Sequence, residues 1–140
     1  MDAARESSVS DDELVARARR VRDNAYAPYS RFAVGAALLT RDGAVVTGAN
    51  VENAAYGSTI CAERAAVCRA IAEGQRDFVA VAIVADAEPF CPPCGACRQV
   101  LAEFNPRLRV LMSSLSGPVT EVGLAELLPH SFGPDALPVP

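Results

Sequence analysis

The segment Phe78–Ala85, FVAVAIVA, is apolar at every position. A strand with one face in water alternates apolar and polar residues, whereas a strand covered on both faces is apolar throughout. We therefore predict that this segment is a central strand of a sheet with helices on both sides. No other feature of the chain constrains the fold as strongly, because it requires two helical layers.

The segments around this strand alternate between helical and extended patterns. A helix is predicted from Asp11 to Ala25, because Ser10 and Glu13 form a capping box and apolar residues recur at helical spacing. A β-hairpin is predicted to turn at Asp42-Gly43. The remaining predicted elements are a helix capped by Ser58 or Thr59 and ended by Gly74, a helix from Pro93 or Cys94 to Asn105, a strand at 107–113, an edge strand at 118–120 and a short helix at 121–128.

This order of elements predicts an α/β fold. It is a three-layer α/β/α sandwich with a mixed β-sheet of about five strands and helices on both faces. The small residues at 33 and 35–37 indicate close packing on both sides of the first hairpin strand. A chain of 140 residues has the length of one domain, with residues 1–9 frayed and 129–140 forming an extended tail.

The charge of the chain argues against a nucleic-acid partner. The formal net charge is −4, whereas binding to phosphate backbones depends on clustered Lys and Arg. Residues 1–17 include no apolar stretch of signal-peptide length, and no apolar run approaches membrane-spanning length. We expect a cytoplasmic protein without membrane partners. In that reducing compartment, its five cysteines indicate metal or redox chemistry rather than disulfides.

Three of these cysteines fall near the starts of two predicted helices. Cys94 and Cys97 are three residues apart, so they share one helix face at the usual spacing of a zinc pair. Cys61 lies close to the predicted cap of the preceding helix, where side chains of the first turn reach past the helix end. Both helix N-termini would then point at one metal ion, and three protein ligands would leave the fourth tetrahedral position for water, as in catalytic zinc sites.

Two further residues of the same predicted helix suit such a site. Glu63 could take a proton from that water and return it. Three thiolates around Zn²⁺ leave one net negative charge, which weakens the ion as a Lewis acid. The positive helix ends, and Arg64 one turn from Cys61, would offset this charge.

Other kinds of site remain open on spacing alone. Cys94 and Cys97 also fit a thioredoxin-like redox pair after a strand. Cys91, Cys94 and Cys97 match the start of an iron–sulfur motif, although that motif continues with a cysteine where this chain has Leu101. Cys61 and the other three could form a closed structural zinc site, which would make the domain a binding module. Cys91 could equally be a bystander in its loop.

Several residues have structural explanations beside the functional ones. Cys68, seven residues after Cys61, is predicted to be a small core residue. Phe32 could belong to the core or form a platform for a ligand. Asn50 and Glu52 could end a strand in a turn, or bind a diol from the same strand face. His130 is the only histidine and is predicted to be a surface or interface residue.

Four motifs together resemble the small homotetrameric cytidine deaminases. They are YAPYSRFAVGAALL at 26–39, NVENAAYG at 50–57, CAER at 61–64 and PCGACRQV at 93–100. The resemblance runs from about residue 11 to residue 132, in family order. It implies hydrolytic deamination of cytidine and deoxycytidine to uridine and deoxyuridine with release of ammonia, in pyrimidine salvage.

The resemblance also implies a role for each residue of the metal site. Cys61, Cys94 and Cys97 would hold one Zn²⁺ per subunit, as in the three-cysteine variant of zinc deaminases. Glu63 would take the proton of the attacking water, protonate the ring nitrogen beside the reacting carbon and pass a proton to the departing ammonia. Arg64 would hydrogen-bond to the thiolates.

Further residues would contact the nucleoside, a small-molecule partner. Phe32 would pack on the base, the backbone at Ala62 would help to fix it, and Asn50 and Glu52 would hydrogen-bond to the ribose 3′-hydroxyl. The resemblance also implies a homotetramer whose active sites are shared between subunits. In it, Tyr56 and Phe132 would reach toward the active site of a neighbouring subunit.

The chain departs from the family pattern in one loop. The family commonly has Ser-Pro before C-G-A-C, whereas this chain has Pro92-Pro93 preceded by Cys91. Two alternatives therefore stand beside cytidine deamination: deamination of a modified cytosine nucleoside such as an antibiotic, and a non-catalytic, zinc-stapled binding module. Cys-Ala-Glu replaces the His-Ala-Glu usual in polynucleotide-editing relatives, and this disfavours tRNA or DNA as substrate.

Overall fold

The computed structural model describes residues 9–138, so most of the segment predicted to be frayed lies outside the described residues. Its helices and strands are, in chain order, α1 Asp11–Val21, β1 Val34–Thr40, β2 Val45–Ala49, α2 Ala62–Ala72, β3 Phe78–Ala85, α3 Gly95–Phe104, β4 Arg109–Ser113, β5 Thr120–Gly123 and α4 Leu124–Leu127. Single 3₁₀ turns occur at Arg22–Asn24, Tyr56–Ser58 and Pro134–Ala136. Among the described residues, no helix is long and apolar enough to cross a bilayer.

The strands form one mixed sheet in the order β2-β1-β3-β4-β5. β3 and β4 are parallel, and the other neighbouring pairs are antiparallel. β3 lies in the centre, and each of its residues except Val79 is buried. The predicted mixed sheet and its buried central strand are confirmed.

Alternate residues of β1 point into two separate cores. Ala36 and Leu38 pack with α2, α3 and α4, whereas Ala37 and Leu39 pack with α1 on the opposite face. The helix residues of the first core are Ala62, Ala66, Val67, Ala70, Leu101, Ala102 and Leu124, and those of the second are Leu14, Val15 and Ala18. This arrangement is the predicted α/β/α sandwich.

Two glycines let the flanking helices approach the sheet closely. A Cβ atom on Gly35 would lie 2.0 Å from the carbonyl oxygen of Ala18 in α1. On the neighbouring strand, a Cβ atom on Gly48 would lie 2.4 Å from the backbone nitrogen of Ala66 in α2. Neither distance is compatible with a real side chain, so α1 and α2 rest almost directly on the strands. The prediction of close packing on both sides of β1 is confirmed, and Gly48 extends it to β2.

The predicted N-cap of the second helix, Ser58 or Thr59, lies three or two residues before the observed one, Cys61. Ser58 belongs to the separate 3₁₀ turn Tyr56–Ser58, and the N-cap of α2 is Cys61. Val51 pairs with Ile60 in an antiparallel bridge, which keeps the chain extended up to residue 60. The tertiary bridge thus overrides the capping preference of Ser and Thr.

The predicted boundaries near both ends of the chain also need correction. α1 ends at Val21 and continues only as a 3₁₀ turn to Asn24. Residues 120–123 pair with β4 as β5, so α4 is shorter than the helix predicted over 121–128. The tail predicted to be extended contains the 3₁₀ turn Pro134–Ala136, and His130 adopts a left-handed backbone conformation with φ 53°.

Candidate active site

Two cysteines begin the helices that meet at the site. Cys61 is the N-cap residue of α2 and Cys94 is the N-cap residue of α3. Ser, Thr, Asp or Asn would normally occupy such a position and satisfy a backbone N–H group. Cysteines at both caps place their sulfur atoms beside the positive ends of the two helices.

The three predicted ligands form one cluster. The sulfur atoms of Cys61, Cys94 and Cys97 all lie within 4.8 Å of one another, and those of Cys61 and Cys94 are 3.8 Å apart. Tetrahedral zinc with Zn–S bonds of about 2.3 Å separates its sulfur ligands by about 3.8 Å. The Cys61–Cys94 pair has this separation, and the cluster as a whole is compact enough to hold Zn²⁺. Cys91 is not a member of it.

The protonation of these thiols is linked to metal binding. Burial, together with the negative charges of Glu63 and Cys61, raises the pKa of Cys97. Burial also opposes ionisation of Cys94, but hydrogen bonds from N–H groups in the first turn of α3 and from the neighbouring thiols outweigh it and lower the Cys94 pKa. A metal ion that binds here must displace the proton of Cys97.

Arg64 supplies positive charge beside the cluster. Its Nη2 donates a hydrogen bond to the Cys61 sulfur over 3.3 Å. Hydrogen bonds and charge interactions with Cys61 and Cys97 outweigh the effect of burial and raise the pKa of the guanidinium further. Arg64 is thus a permanent cation in contact with sulfur, as a centre with excess negative charge requires.

Glu63 is almost completely buried beside the thiols, with 5% of its surface exposed. Burial raises the pKa of its carboxyl. Hydrogen bonds and the charge of Arg64 oppose this effect, but only in part. A carboxyl with a raised pKa accepts a proton more readily than an ordinary glutamate, as a group that takes up and returns a proton must. Its position in the first turn of α2 places it beside a cavity rather than in the core.

A cavity of about 200 Å³ opens over the thiols and Glu63. Its walls are mainly apolar and come from the start of β1, the end of β2, the starts of α2 and α3 and the loop before α3. The lining residues are Phe32, Val34, Asn50, Thr59, Cys61, Ala62, Glu63, Cys91, Pro92 and Cys94. Small-ligand sites typically combine apolar walls with a few polar groups in this way.

Asn50 is a buried polar residue that lines the same cavity. Its Oδ1 accepts a hydrogen bond from the Val34 N–H over 2.8 Å, and its Nδ2 donates one to the Phe32 carbonyl over 2.9 Å. Asn50 therefore fixes the chain where it enters β1 and keeps one donor hydrogen and one acceptor lone pair for a ligand.

Glu52 and Tyr56 lie in a neighbouring cavity of about 250 Å³, which shares Thr59 with the first one. The Glu52 carboxylate accepts hydrogen bonds from the N–H groups of Tyr29 and Ser30 and from the Ser30 hydroxyl. The Ser30 hydroxyl is the main cause of the lowered pKa of Glu52. Tyr56 is 75% exposed, and its ring lies 5.8 Å from that of Tyr29.

Phe132 lines neither of these two cavities of its own chain. Its side chain is 61% exposed, and Gln99 of α3 holds its carbonyl group through a hydrogen bond of 2.9 Å. The structure therefore brings Phe32, Asn50 and Ala62 to the cavity over the metal ligands, and places Glu52 and Tyr56 next to it. It leaves Phe132 apart from both.

The sequence interpretation missed several residues of the site. Thr59 joins the two cavities, and Arg98 donates hydrogen bonds of 2.8 Å to the carbonyl groups of Pro93 and Leu127. Arg98 thus holds the residue before Cys94. Its position directly after a metal ligand was the one available signal. Ser30 had no signal beyond its place in the motif at 26–39, because its partner Glu52 lies 22 positions away.

One residue contradicts its predicted setting. Cys68 is exposed on α2, so the prediction that it belongs to the core was wrong. The residues of α2 that pack into the core are Ala62, Ala66, Val67 and Ala70, and Cys68 is not among them. His130 is exposed, as the sequence predicted.

Zinc-dependent hydrolases hold their metal with three protein ligands, leave a position for water and place a proton-carrying group beside it. The thiol cluster, Glu63 and the cavity place this chain in that class. Within the class, the chain belongs to the family of cytidine deaminases: a family model described as "Cytidine and deoxycytidylate deaminase zinc-binding region" matches residues 8–113.

Individual relatives agree with this assignment. A cytidine deaminase of Halalkalibacterium halodurans is 54% identical over 120 residues, which cover 85% of this chain and 91% of that protein. A cytidine deaminase of Mycobacterium tuberculosis is 46% identical over 125 residues, covering 89% and 91%. The crystal structure of cytidine deaminase from Burkholderia pseudomallei superposes with a TM-score of 0.86 at 46% identity, covering 89% of this chain and 100% of that one.

Proposed function

We propose that this protein is a zinc-dependent cytidine deaminase, which hydrolyses cytidine and deoxycytidine to uridine and deoxyuridine with release of ammonia. The observation that carries the proposal is the cluster of three cysteine sulfurs within 4.8 Å of one another, with buried Glu63 beside it on the same cavity. The similarity to named cytidine deaminases over most of the chain supports the same substrate class.

The chemistry requires a nucleophile, a proton carrier and an exit for ammonia. Zinc, when bound, supplies the Lewis acid that makes water nucleophilic at neutral pH. Glu63 takes a proton from the attacking water and delivers it to the ring nitrogen beside carbon 4. Glu63 then takes the remaining proton from the hydroxyl added at carbon 4 and transfers it to the amine, which leaves as ammonia as the carbon–nitrogen bond breaks. The water oxygen becomes the new carbonyl oxygen of uridine.

The cavity walls suggest how the nucleoside is oriented. Phe32 and Ala62 line the same cavity; the Phe32 ring packs on the base, and the Ala62 backbone helps to fix it. Asn50, which lines this cavity, and Glu52, in the neighbouring one, hydrogen-bond to the ribose 3′-hydroxyl. Arg64 stabilises the thiolates and does not touch the substrate.

The proposal predicts that zinc-loaded protein converts cytidine to uridine and ammonia in equal amounts. We expect kcat/KM for cytidine to exceed that for free cytosine by at least about 100-fold, because the free base cannot use the hydrogen bonds of Asn50 and Glu52. Absorbance change and ammonia release measure the reaction. Adenosine and zinc-stripped protein serve as controls.

A protein that carries stoichiometric zinc but turns over no cytosine nucleoside would contradict the proposal and favour a zinc-stapled binding module.

Cys91 and Pro92 line the cavity at the point where the chain departs from the family pattern. This favours a second candidate, deamination of a cytosine nucleoside with a modified ring. Higher kcat/KM for such a nucleoside than for cytidine, in the same assay, identifies it.

We also propose that the protein is a homotetramer whose active sites are shared between subunits. Several large aromatic side chains are exposed, and the largest exposed fractions are 75% for Tyr56, which lines one of the two cavities, 61% for Phe132 and 55% for Tyr26. Exposed aromatic residues next to a cavity are typical of interfaces.

The five cysteines are free of disulfides, which suits the cytoplasm, and the net charge of −4 disfavours a nucleic-acid partner.

Light scattering should therefore give a solution mass of four chains. Tyr56→Asp places a charge in the proposed interface, and we expect it to dissociate the tetramer and raise KM together. Val119→Asp, at another exposed apolar residue distant in sequence from the site, is the matched control and should leave the mass unchanged. A monomeric wild-type protein with full activity would contradict the shared sites.

A further inference from the structure

The backbone of Phe32 is held by side chains on both sides. Phe32 lies in the loop between α1 and β1, directly after Arg31, which has a left-handed backbone conformation with φ 60°. For a residue with a side chain this conformation costs energy and persists only where the surroundings fix it. The loop that carries the base-packing ring therefore depends on its hydrogen bonds.

One of these hydrogen bonds comes from Ser30. The Ser30 hydroxyl accepts a hydrogen bond from the Phe32 N–H over 2.9 Å and donates its own proton to the Glu52 carboxylate. A hydroxyl has one proton, so donation to Glu52 turns a lone pair toward Phe32. Ser30 thus connects the carboxylate to the backbone of the aromatic residue.

The second hydrogen bond comes from Asn50. Its Nδ2 donates to the Phe32 carbonyl over 2.9 Å, so both polar backbone groups of Phe32 are occupied. Asn50 binds Phe32 directly, and Glu52 reaches it through Ser30. The pair of residues proposed to bind the sugar is therefore the pair that positions the ring proposed to pack on the base.

We propose that Ser30 is a positioning residue that couples recognition of the sugar at Glu52 to placement of the Phe32 ring. The inference rests on the proposed function of this cavity. When Glu52 binds the sugar, the Ser30 hydroxyl keeps donating its proton to Glu52. Its lone pair then holds the Phe32 N–H, and the Phe32 ring is fixed against the base. Without the Ser30 hydroxyl, Glu52 can still meet the sugar, but Phe32 loses its N–H partner and the loop relaxes.

The test is a double-mutant cycle between Ser30 and Glu52, with cytidine as substrate. Ser30→Ala in the wild-type background should raise KM at least about fivefold, since hydrogen bonds to charged groups are among the stronger ones. It should leave kcat within about threefold, because Glu63 and the thiols are untouched. In a Glu52→Ala background, the same change should raise KM less than about twofold, because the coupled partner is already missing.

Two further variants separate the hydroxyl from the size of the side chain. Ser30→Thr keeps the hydroxyl and should retain KM within about twofold of wild type. Ser30→Cys keeps the size but bonds weakly, and it should behave like Ser30→Ala; it also provides the measurement should the alanine variant not fold. Zinc content and melting temperature are recorded for every variant.

An increase in KM below fivefold for both Ser30→Ala and Ser30→Cys would overturn the inference, as would an equal increase with and without Glu52. The proposed function is tested separately by wild-type turnover of cytidine. If the wild-type protein is active and Glu52→Ala leaves KM unchanged, then the coupling fails while deamination stands.

Discussion

A Cys97→Ser variant should retain no stoichiometric zinc after dialysis and should show no turnover of cytidine above background. Cys97 is fully buried in the thiol cluster, and a serine hydroxyl at that position has nearly the same size but does not ionise. Two thiolates and a buried hydroxyl replace three thiolates, so the metal loses a third of its protein ligands. Because bound metal stabilises the folded state, we also expect a lower melting temperature.

The measurement is zinc per chain by elemental analysis, together with turnover and thermal unfolding. Cys68→Ser is the matched control, because Cys68 is exposed on α2 and lies outside the cluster. It should keep the zinc content, activity and melting temperature of the wild-type protein. A Cys97→Ser protein that still binds one zinc per chain and deaminates cytidine would remove Cys97 from the set of ligands.

Glu63→Gln should lower kcat at least about 10³-fold while leaving zinc content and fold unchanged. The amide keeps the size of the side chain in its buried position but can no longer take up and return a proton. The proposed reaction uses Glu63 in two successive proton transfers, so both are lost. KM should change far less than kcat, because the cavity walls and the sugar-binding residues remain.

The control for this experiment is Glu126→Gln, an exposed glutamate on α4, which should have wild-type kinetics. Zinc content by elemental analysis and steady-state kinetics with cytidine decide the result. If Glu63→Gln retained kcat within tenfold of wild type, another group would have to carry the protons. If it lost zinc, then Glu63 would be needed for the metal site and the kinetic result would have to be assigned to that loss.

The sequence predicted those parts of the fold that depend on local pattern. The unbroken apolar run at 78–85 placed β3 in the middle of the sheet, and Asp42-Gly43 placed the hairpin, where Gly43 has a φ of 94°. It failed where a distant segment changed the local preference. The bridge between Val51 and Ile60 moved the start of α2 to Cys61, and pairing with β4 made a strand of residues 120–123.

The same division applies to the site. Cys94 and Cys97 lie on one turn of one helix, so their spacing alone determined that both sulfurs could reach one metal ion. The approach of Cys61 to Cys94, 33 residues away in sequence, depends on α2 and α3 packing on the same face of the sheet. The sequence motifs predict this contact, but only the packed structure shows the distance between the two sulfur atoms.

Taken alone, the sequence determined the layered α/β/α architecture, the pair of thiols on α3 and the family to which the chain belongs. Only the tertiary structure decided that Glu63 is buried against the thiols, that Cys68 faces outward and that Ser30 joins Glu52 to Phe32. The physical reason is the distance along the sequence over which each kind of interaction acts. Helix and strand periodicity fix the relative positions of neighbouring residues, whereas contacts between separate segments, and the burial that shifts a pKa, exist only once the helices have packed on the sheet.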